Sequence, residues 1–103
     1  MPPMTPTWQI SMDTEDPVAV PYFNWDAPVS NADLRRFLSK GSEDDKLYWM
    51  GRILREAQYG DVWNYISLRR DLMPRWEKLR TRLGRRRGFW EFLIDGWRRD
   101  GIL

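Results

Sequence analysis

The sequence predicts an all-α protein, a compact bundle of four to six short helices with an extended, proline-rich N-terminal arm. Six of the seven prolines lie within the first 28 residues, where their fixed φ and missing amide donor exclude a continuous helix or a central strand. From residue 30 onward, helix-capping residues precede apolar residues at helical spacing. No stretch shows the sustained alternation of β-hairpins. The length of 103 residues favours one domain.

The N-terminal region divides into two parts by composition. Residues 1–17 are rich in Pro, Thr and acids with few large aliphatics, which is typical of a mobile segment, and we interpret them as a flexible acidic tail. We assign residues 18–103 to a single helical domain. Three rings near its start are too apolar to remain in water, so we expect them to dock the arm onto its own helices or onto a second chain. These rings are Tyr22, Phe23 and Trp25.

Capping boxes predict the first two helices. Ser30 is followed three residues later by Asp33, and Ser42 is followed in the same way by Asp45. The second helix carries apolar residues at positions i, i+3, i+4 and i+7, and we expect Gly60 to end it. These apolar residues are Leu47, Met50, Ile53, Leu54 and Ala57.

Short helical segments follow in the central part of the chain. Asp61 is expected to cap a short helix that begins at Val62. Ser67 is expected to cap another, Leu68–Met73. Pro74 then either breaks this helix or starts a new one, because proline is tolerated in the first helical turn.

The C-terminal part predicts two more helical segments. The first begins near Trp76 and ends at Gly84, and the last helix runs from about Arg86 to Arg99. Helical spacing places five apolar residues of the last helix on its buried side. They are Phe89, Trp90, Leu93, Ile94 and Trp97.

The composition argues against an enzyme. The chain has no cysteine and no histidine, which excludes disulfides, thiolate nucleophiles and the commonest general base and metal ligand. Ser30, Ser42 and Ser67 are interpreted as helix caps, and no phosphate-binding glycine loop occurs. We therefore expect no catalytic residues, no metal and no cofactor.

Charge is distributed unevenly along the chain. Residues 1–34 carry five acids and no base, whereas residues 68–103 carry eleven bases and five acids. The basic region between 68 and 88 contains the candidate partner- or anion-binding arginines, which suit phosphates and carboxylates. They are Arg69, Arg70, Arg80, Arg82, Arg85, Arg86 and Arg87. A solvated or internally paired surface, an acidic protein partner and nucleic-acid phosphates all remain open for this region.

Two features outside the basic region bear on partners and location. Trp8 stands alone in the polar tail, and we predict that it anchors the tail on a partner. The sequence shows neither a secretory signal nor a long apolar run, so we expect a cytoplasmic protein that makes no contact with membranes.

The order of aromatic and arginine positions resembles a family of small bacterial proteins. The shared pattern covers roughly residues 20–103 and lies in the segments 22–26, 52–56, 60–63, 82–87 and 89–93. The genes of that family often sit beside nucleotidyltransferase toxins of the abortive-infection type, and its members are viewed as antitoxin-like.

This resemblance implies a role in phage defence through a toxin–antitoxin system. The chain would neutralise a partner nucleotidyltransferase by direct protein–protein contact, without catalysis of its own. The alternative is a small nucleic-acid-binding regulator that uses residues 68–88, whose binding would weaken steeply with salt. A homo-oligomer or subunit without a toxin is a third interpretation.

Overall fold

A computed structural model of the chain describes residues 10–24 and 26–102. Within these residues the backbone forms five α-helices, which confirms the predicted all-α class. The helices are α1 (Asn31–Lys40), α2 (Glu43–Glu56), α3 (Tyr59–Val62), α4 (Trp76–Leu79) and α5 (Arg87–Arg99). Shorter helical turns are Tyr22–Asn24, Leu68–Leu72, Met73–Arg75, Arg80–Arg82 and Gly84–Arg86.

The N-terminal arm packs against the helices of its own chain. Its two short strands, β1 (Ile10–Ser11) and β2 (Val20–Pro21), pair in parallel. Phe23 belongs to the core, and its ring meets that of Tyr65 edge to face with 5.5 Å between the centroids. The described part of the arm therefore packs in cis, one of the two arrangements that the sequence left open.

The loop between β1 and β2 is held by a buried amide. The Asn31 side chain, at the start of α1, donates from Nδ2 to the carbonyls of Asp13 (3.1 Å) and Asp16 (2.8 Å). Thr14 is buried beside it and accepts a hydrogen bond from the Asn64 amide at 2.9 Å. Residues 13–17 thus lie against the helical domain and not in the free tail that their polar composition suggested. Residues 1–9 lie outside the described residues.

The first two helices begin where their capping boxes predict. The hydroxyl of Ser30 accepts the backbone N–H of Asp33, and that of Ser42 accepts the N–H of Asp45. The intervening Gly41 has φ −69°, so it does not need a left-handed conformation. A Cβ at this position would come within 2.5 Å of the Phe37 carbonyl oxygen, which explains why the close turn between α1 and α2 takes glycine.

The end of α2 differs from the prediction. The helix stops at Glu56, Gly60 lies inside α3, and the residue that precedes α3 is Gln58 and not Asp61. The Tyr22 hydroxyl accepts the Gln58 N–H at 2.8 Å. Arg86 donates to the Ala57 carbonyl, so distant side chains satisfy the backbone groups that the break frees. We call residues 54–58 the α2–α3 junction.

Local signals account for the next two turns. Ser67 caps the turn Leu68–Leu72 by accepting the Arg70 N–H, and Pro74 sits in the first positions of Met73–Arg75. Gly84 has φ +53°, a left-handed conformation that ends the preceding helical path as predicted.

The core is built from buried residues of α1, α2, α4 and α5, of the segment 62–72 and of the arm. In α5, Trp90 and Ile94 are buried, and Leu93 and Trp97 are partly buried against the core, as expected from their spacing. Phe89 is an exception: it is 46% exposed, and its ring meets that of Tyr59 edge to face at the surface. Among the described residues, no helix is both long and apolar enough to cross a membrane.

Candidate partner-binding surface

Two arginines of the predicted basic surface bind backbone carbonyls of the chain itself. Arg69 donates to the Ile102 carbonyl at 2.6 Å and ties the C-terminal end to the turn Leu68–Leu72. Arg86 donates to Ala57 in the α2–α3 junction. Each of these two guanidinium groups therefore already has an acceptor within the chain.

Arg80 and Arg87 share one carboxylate of α5. Glu91 accepts from Arg80 Nη2 at 3.1 Å and from Arg87 Nε at 2.5 Å. The hydrogen bond from Arg87 is the main cause that lowers the pKa of Glu91. Arg80 also meets Glu77 at 3.3 Å, and this hydrogen bond is the main cause that raises the Arg80 pKa.

This pairing predicts a loss of stability in acid. Because the pKa of Glu91 is lower in the folded chain than its ordinary value near 4.5, its ion pairs stabilise the fold fully above that value. The stabilisation is lost as the pH falls through the folded-state pKa. In urea titrations from pH 7 to pH 3, Glu91→Gln should be less stable than the parent at pH 7 and should lose less on acidification. Asp95→Asn, which removes an exposed carboxylate of the same helix, is the control, and parallel curves for parent and Glu91→Gln would contradict the assignment.

The remaining arginines of the set point outward. Arg70 is 79% exposed, with Asp71 at 3.5 Å. Arg82 and Arg85 are exposed, and among the described residues neither side chain has an ion pair. Internal pairing, which the sequence left open, therefore accounts for five of the seven arginines, including Arg70.

The aromatic candidates of the arm are placed as follows. Tyr22 donates from its hydroxyl to Asp61 at 2.6 Å and contacts the α2–α3 junction, and burial is the main cause that raises its pKa. Phe23 is in the core. Both rings are thus committed to the chain's own fold, whereas Trp8 and Trp25 lie outside the described residues.

An exposed aromatic surface lies elsewhere, on α3 and α5. Phe92 is 72% exposed, Phe89 46% and Tyr59 45%. The Tyr59 and Phe89 rings meet edge to face with 5.9 Å between centroids, and Phe92 follows Phe89 by one helical turn. We call these three residues the aromatic face. Tyr59 and Phe92 were not among the predicted binding residues, although Phe92 falls outside the predicted buried side of α5 and was detectable on that ground.

The aromatic face carries mixed charge at its border. A small cavity of about 260 Å³ opens between Tyr59, Phe89 and Arg86. Arg85 lies exposed in the turn before α5, and Asp95 lies exposed one turn beyond Phe92. Large rings bordered by arginine are typical of protein interfaces, where aromatic residues and arginine supply most of the binding energy. A carboxylate beside the rings opposes the approach of a phosphate backbone.

Comparison with known proteins finds no matching family model, no matching curated protein and no matching solved structure. Among the described residues, no three carboxylates converge to form a metal site.

Proposed function

We propose that the chain is a non-catalytic binding protein that acts by direct contact with a protein partner, and that the aromatic face is its contact surface. The observation that carries this proposal is the exposure of Phe89 and Phe92 on one side of α5, whose other side forms part of the core, together with the exposed Tyr59 of α3 beside Phe89. Burying three such rings is a strong driving force for association. The resemblance to antitoxin-like proteins supports a nucleotidyltransferase toxin as that partner.

The charge arrangement favours a protein over nucleic acid at this surface. Five of the seven candidate arginines contact groups of the chain itself, namely Arg69, Arg70, Arg80, Arg86 and Arg87. Sequence-independent nucleic-acid binding depends on several cations that are free to neutralise phosphates. The aromatic face instead has an adjacent carboxylate, Asp95, one turn beyond Phe92.

A tagged capture experiment in the organism that encodes the chain tests the proposal. The parent chain is expected to retain a stoichiometric nucleotidyltransferase through nuclease treatment and moderate salt. Phe92→Ser should weaken the complex at least about tenfold, the effect of removing one interface hot spot. Tyr48→Ser is the matched control, because Tyr48 is 50% exposed on α2, outside the aromatic face.

Two outcomes would contradict the proposal. Loss of every partner on nuclease treatment would establish nucleic acid as the bridging component and favour the regulator alternative. If Phe92→Ser and Tyr48→Ser weaken the complex equally, or if neither variant weakens it, the aromatic face is not the contact surface. In a growth assay, co-expression of the parent chain should relieve the toxicity of the captured enzyme, and Phe92→Ser should relieve it less.

A further inference from the structure

A basic cleft lies away from the aromatic face. It encloses about 650 Å³ and is walled by α1, the start of α2 and the segment from Asn64 to Arg75. Its lining includes four cations and one carboxylate: Arg35, Lys46, Arg70, Arg75 and Asp71. This volume is within the range of small-molecule sites. Of these four cations only Arg70 belongs to the predicted arginine set. Arg75 lies in the same 68–88 region but was not a candidate, and Arg35 and Lys46 come from α1 and α2.

Two of the arginines are fixed in position by the fold. Arg75 is 17% exposed, donates to Glu43 from Nε (2.7 Å) and Nη2 (3.3 Å), and donates from Nη1 to the Asp71 carbonyl at 3.1 Å. Its hydrogen bond is the main cause that lowers the Glu43 pKa. The Arg35 guanidinium lies 4.7 Å from the centroid of the Tyr65 ring and donates to the Asn64 carbonyl at 3.3 Å.

The carboxylates near the cleft pair with Arg35, Arg70 and Arg75. Glu43 is taken up by Arg75, and Glu15 lies 3.9 Å from Arg35. The Asp71 carboxylate accepts the Ser67 backbone N–H at 2.8 Å and has Arg70 at 3.5 Å.

Lys46 is half-buried at the cleft and has no ion pair among the described residues. Arg70 extends over the cleft and is 79% exposed. An anion in the cleft would therefore meet these two charges together with the unused N–H groups of Arg35.

We propose that this cleft binds the phosphate chain of a small polyphosphate compound. Several cations around one cavity favour a multiply charged anion, and guanidinium forks match phosphate oxygens. The cavity is larger than a single phosphate needs. Tyr65 is buried and its ring is covered by Arg35, so no free ring is offered for stacking of a base. The site is thus suited to the phosphates of its ligand and not to a nucleobase.

Isothermal titration of the full chain with pyrophosphate tests this site. We expect saturable binding with one ligand per chain. Lys46→Gln and Arg70→Gln should each raise the Kd at least about tenfold, the effect of losing one charge-assisted hydrogen bond. Arg85→Gln removes the same charge from an exposed turn outside the cleft and should leave the Kd unchanged. Far-ultraviolet circular dichroism verifies that each variant is folded.

Further titrations distinguish the sources of phosphate. Adenosine diphosphate should bind with a Kd within a few-fold of that of pyrophosphate, and a single-stranded oligonucleotide should bind more weakly. The proposal is overturned if pyrophosphate does not saturate, if Arg85→Gln weakens binding as much as Lys46→Gln, or if the oligonucleotide binds more tightly than pyrophosphate. The proposal is also overturned if adenosine diphosphate binds far more tightly than pyrophosphate, since the protein would then recognise the base.

The two proposals fail independently. The titration uses the isolated chain, so it does not depend on the protein partner. Phe92→Ser, which alters the aromatic face, is expected to leave the pyrophosphate Kd unchanged. Conversely, Lys46→Gln is expected to leave capture of the protein partner unchanged.

Discussion

Replacing Trp90 with alanine is expected to lower the free energy of unfolding by about 3–5 kcal/mol, the range for truncating a buried large aromatic residue. Trp90 is 1% exposed and packs against Tyr59, Trp63 and Phe89, with ring centroids 5.4–5.9 Å away. Its indole N–H also donates to the Leu54 carbonyl at 2.9 Å. That carbonyl belongs to the last turn of α2, where backbone carbonyls have no N–H partner within the helix.

Urea denaturation followed by circular dichroism measures this loss. Phe92→Ala is the matched control, because it removes a ring of the same helix that is 72% exposed, and its effect should stay within about 0.5 kcal/mol. Trp90→Phe retains most of the packing but leaves the Leu54 acceptor unpaired, so it should cost about 1–3 kcal/mol. A loss for Trp90→Ala no larger than that for Phe92→Ala would show that α2 and α5 do not depend on this ring.

Replacing Asn31 with alanine is expected to cost about 2–4 kcal/mol and to release the arm loop from α1. The Asn31 side chain is fully buried and forms three hydrogen bonds, to the carbonyls of Asp13 and Asp16 and from the Tyr65 hydroxyl at 2.6 Å. Each lost partner leaves a polar group of the protein unsatisfied, which costs about 1 kcal/mol or more. Unfolding in urea gives the stability, and limited proteolysis between residues 12 and 18 reports release of the loop.

Two further variants separate the parts of this network. Tyr65→Phe removes only the hydroxyl bond, so it should cost about 1 kcal/mol and leave the loop protected. Gln58→Ala removes an exposed amide that caps no helix and should change neither measurement. If the loop of Asn31→Ala is cleaved no faster than that of the parent, the amide does not hold the arm.

Local sequence signals predicted the elements whose causes are local. Ser30 and Ser42 start α1 and α2 through hydroxyls that bind N–H groups three residues away, and Gly84 ends a helical path through its own positive φ. The end of α2 was not predictable in this way. Its backbone groups are satisfied by Arg86 and Tyr22, which lie 29 and 36 residues away along the chain.

The candidate surfaces also depend on contacts between distant residues, which local sequence signals do not predict. The arginine run was visible in the sequence, but the partners of its side chains were not: Arg80 and Arg87 pair with Glu91, whereas Arg86 binds the Ala57 carbonyl. The basic cleft is assembled from residues as far apart as Arg35 and Arg75, with no spacing that a motif search detects. The exposure of Phe92 could have been predicted from helical periodicity. Phe89 was predicted to be buried, and its position at the surface beside Tyr59 depends on the tertiary structure.

In a chain that has no cysteine, the arginines that bind backbone carbonyls link segments that are distant in sequence, and we call each such link a brace. Arg52 reaches Phe23 at 3.1 Å, Arg55 reaches Arg82 at 3.1 Å, and Arg69 and Arg86 reach Ile102 and Ala57. Each brace spans 27–33 residues of sequence, a loop length that a disulfide closes in many small proteins. Because the acceptors are neutral, salt weakens these braces less than it weakens ion pairs, and thiol reductants do not affect them. Between residues 23 and 102, distant segments are thereby joined by hydrogen bonds that depend less on ionic strength than ion pairs do and do not depend on redox state.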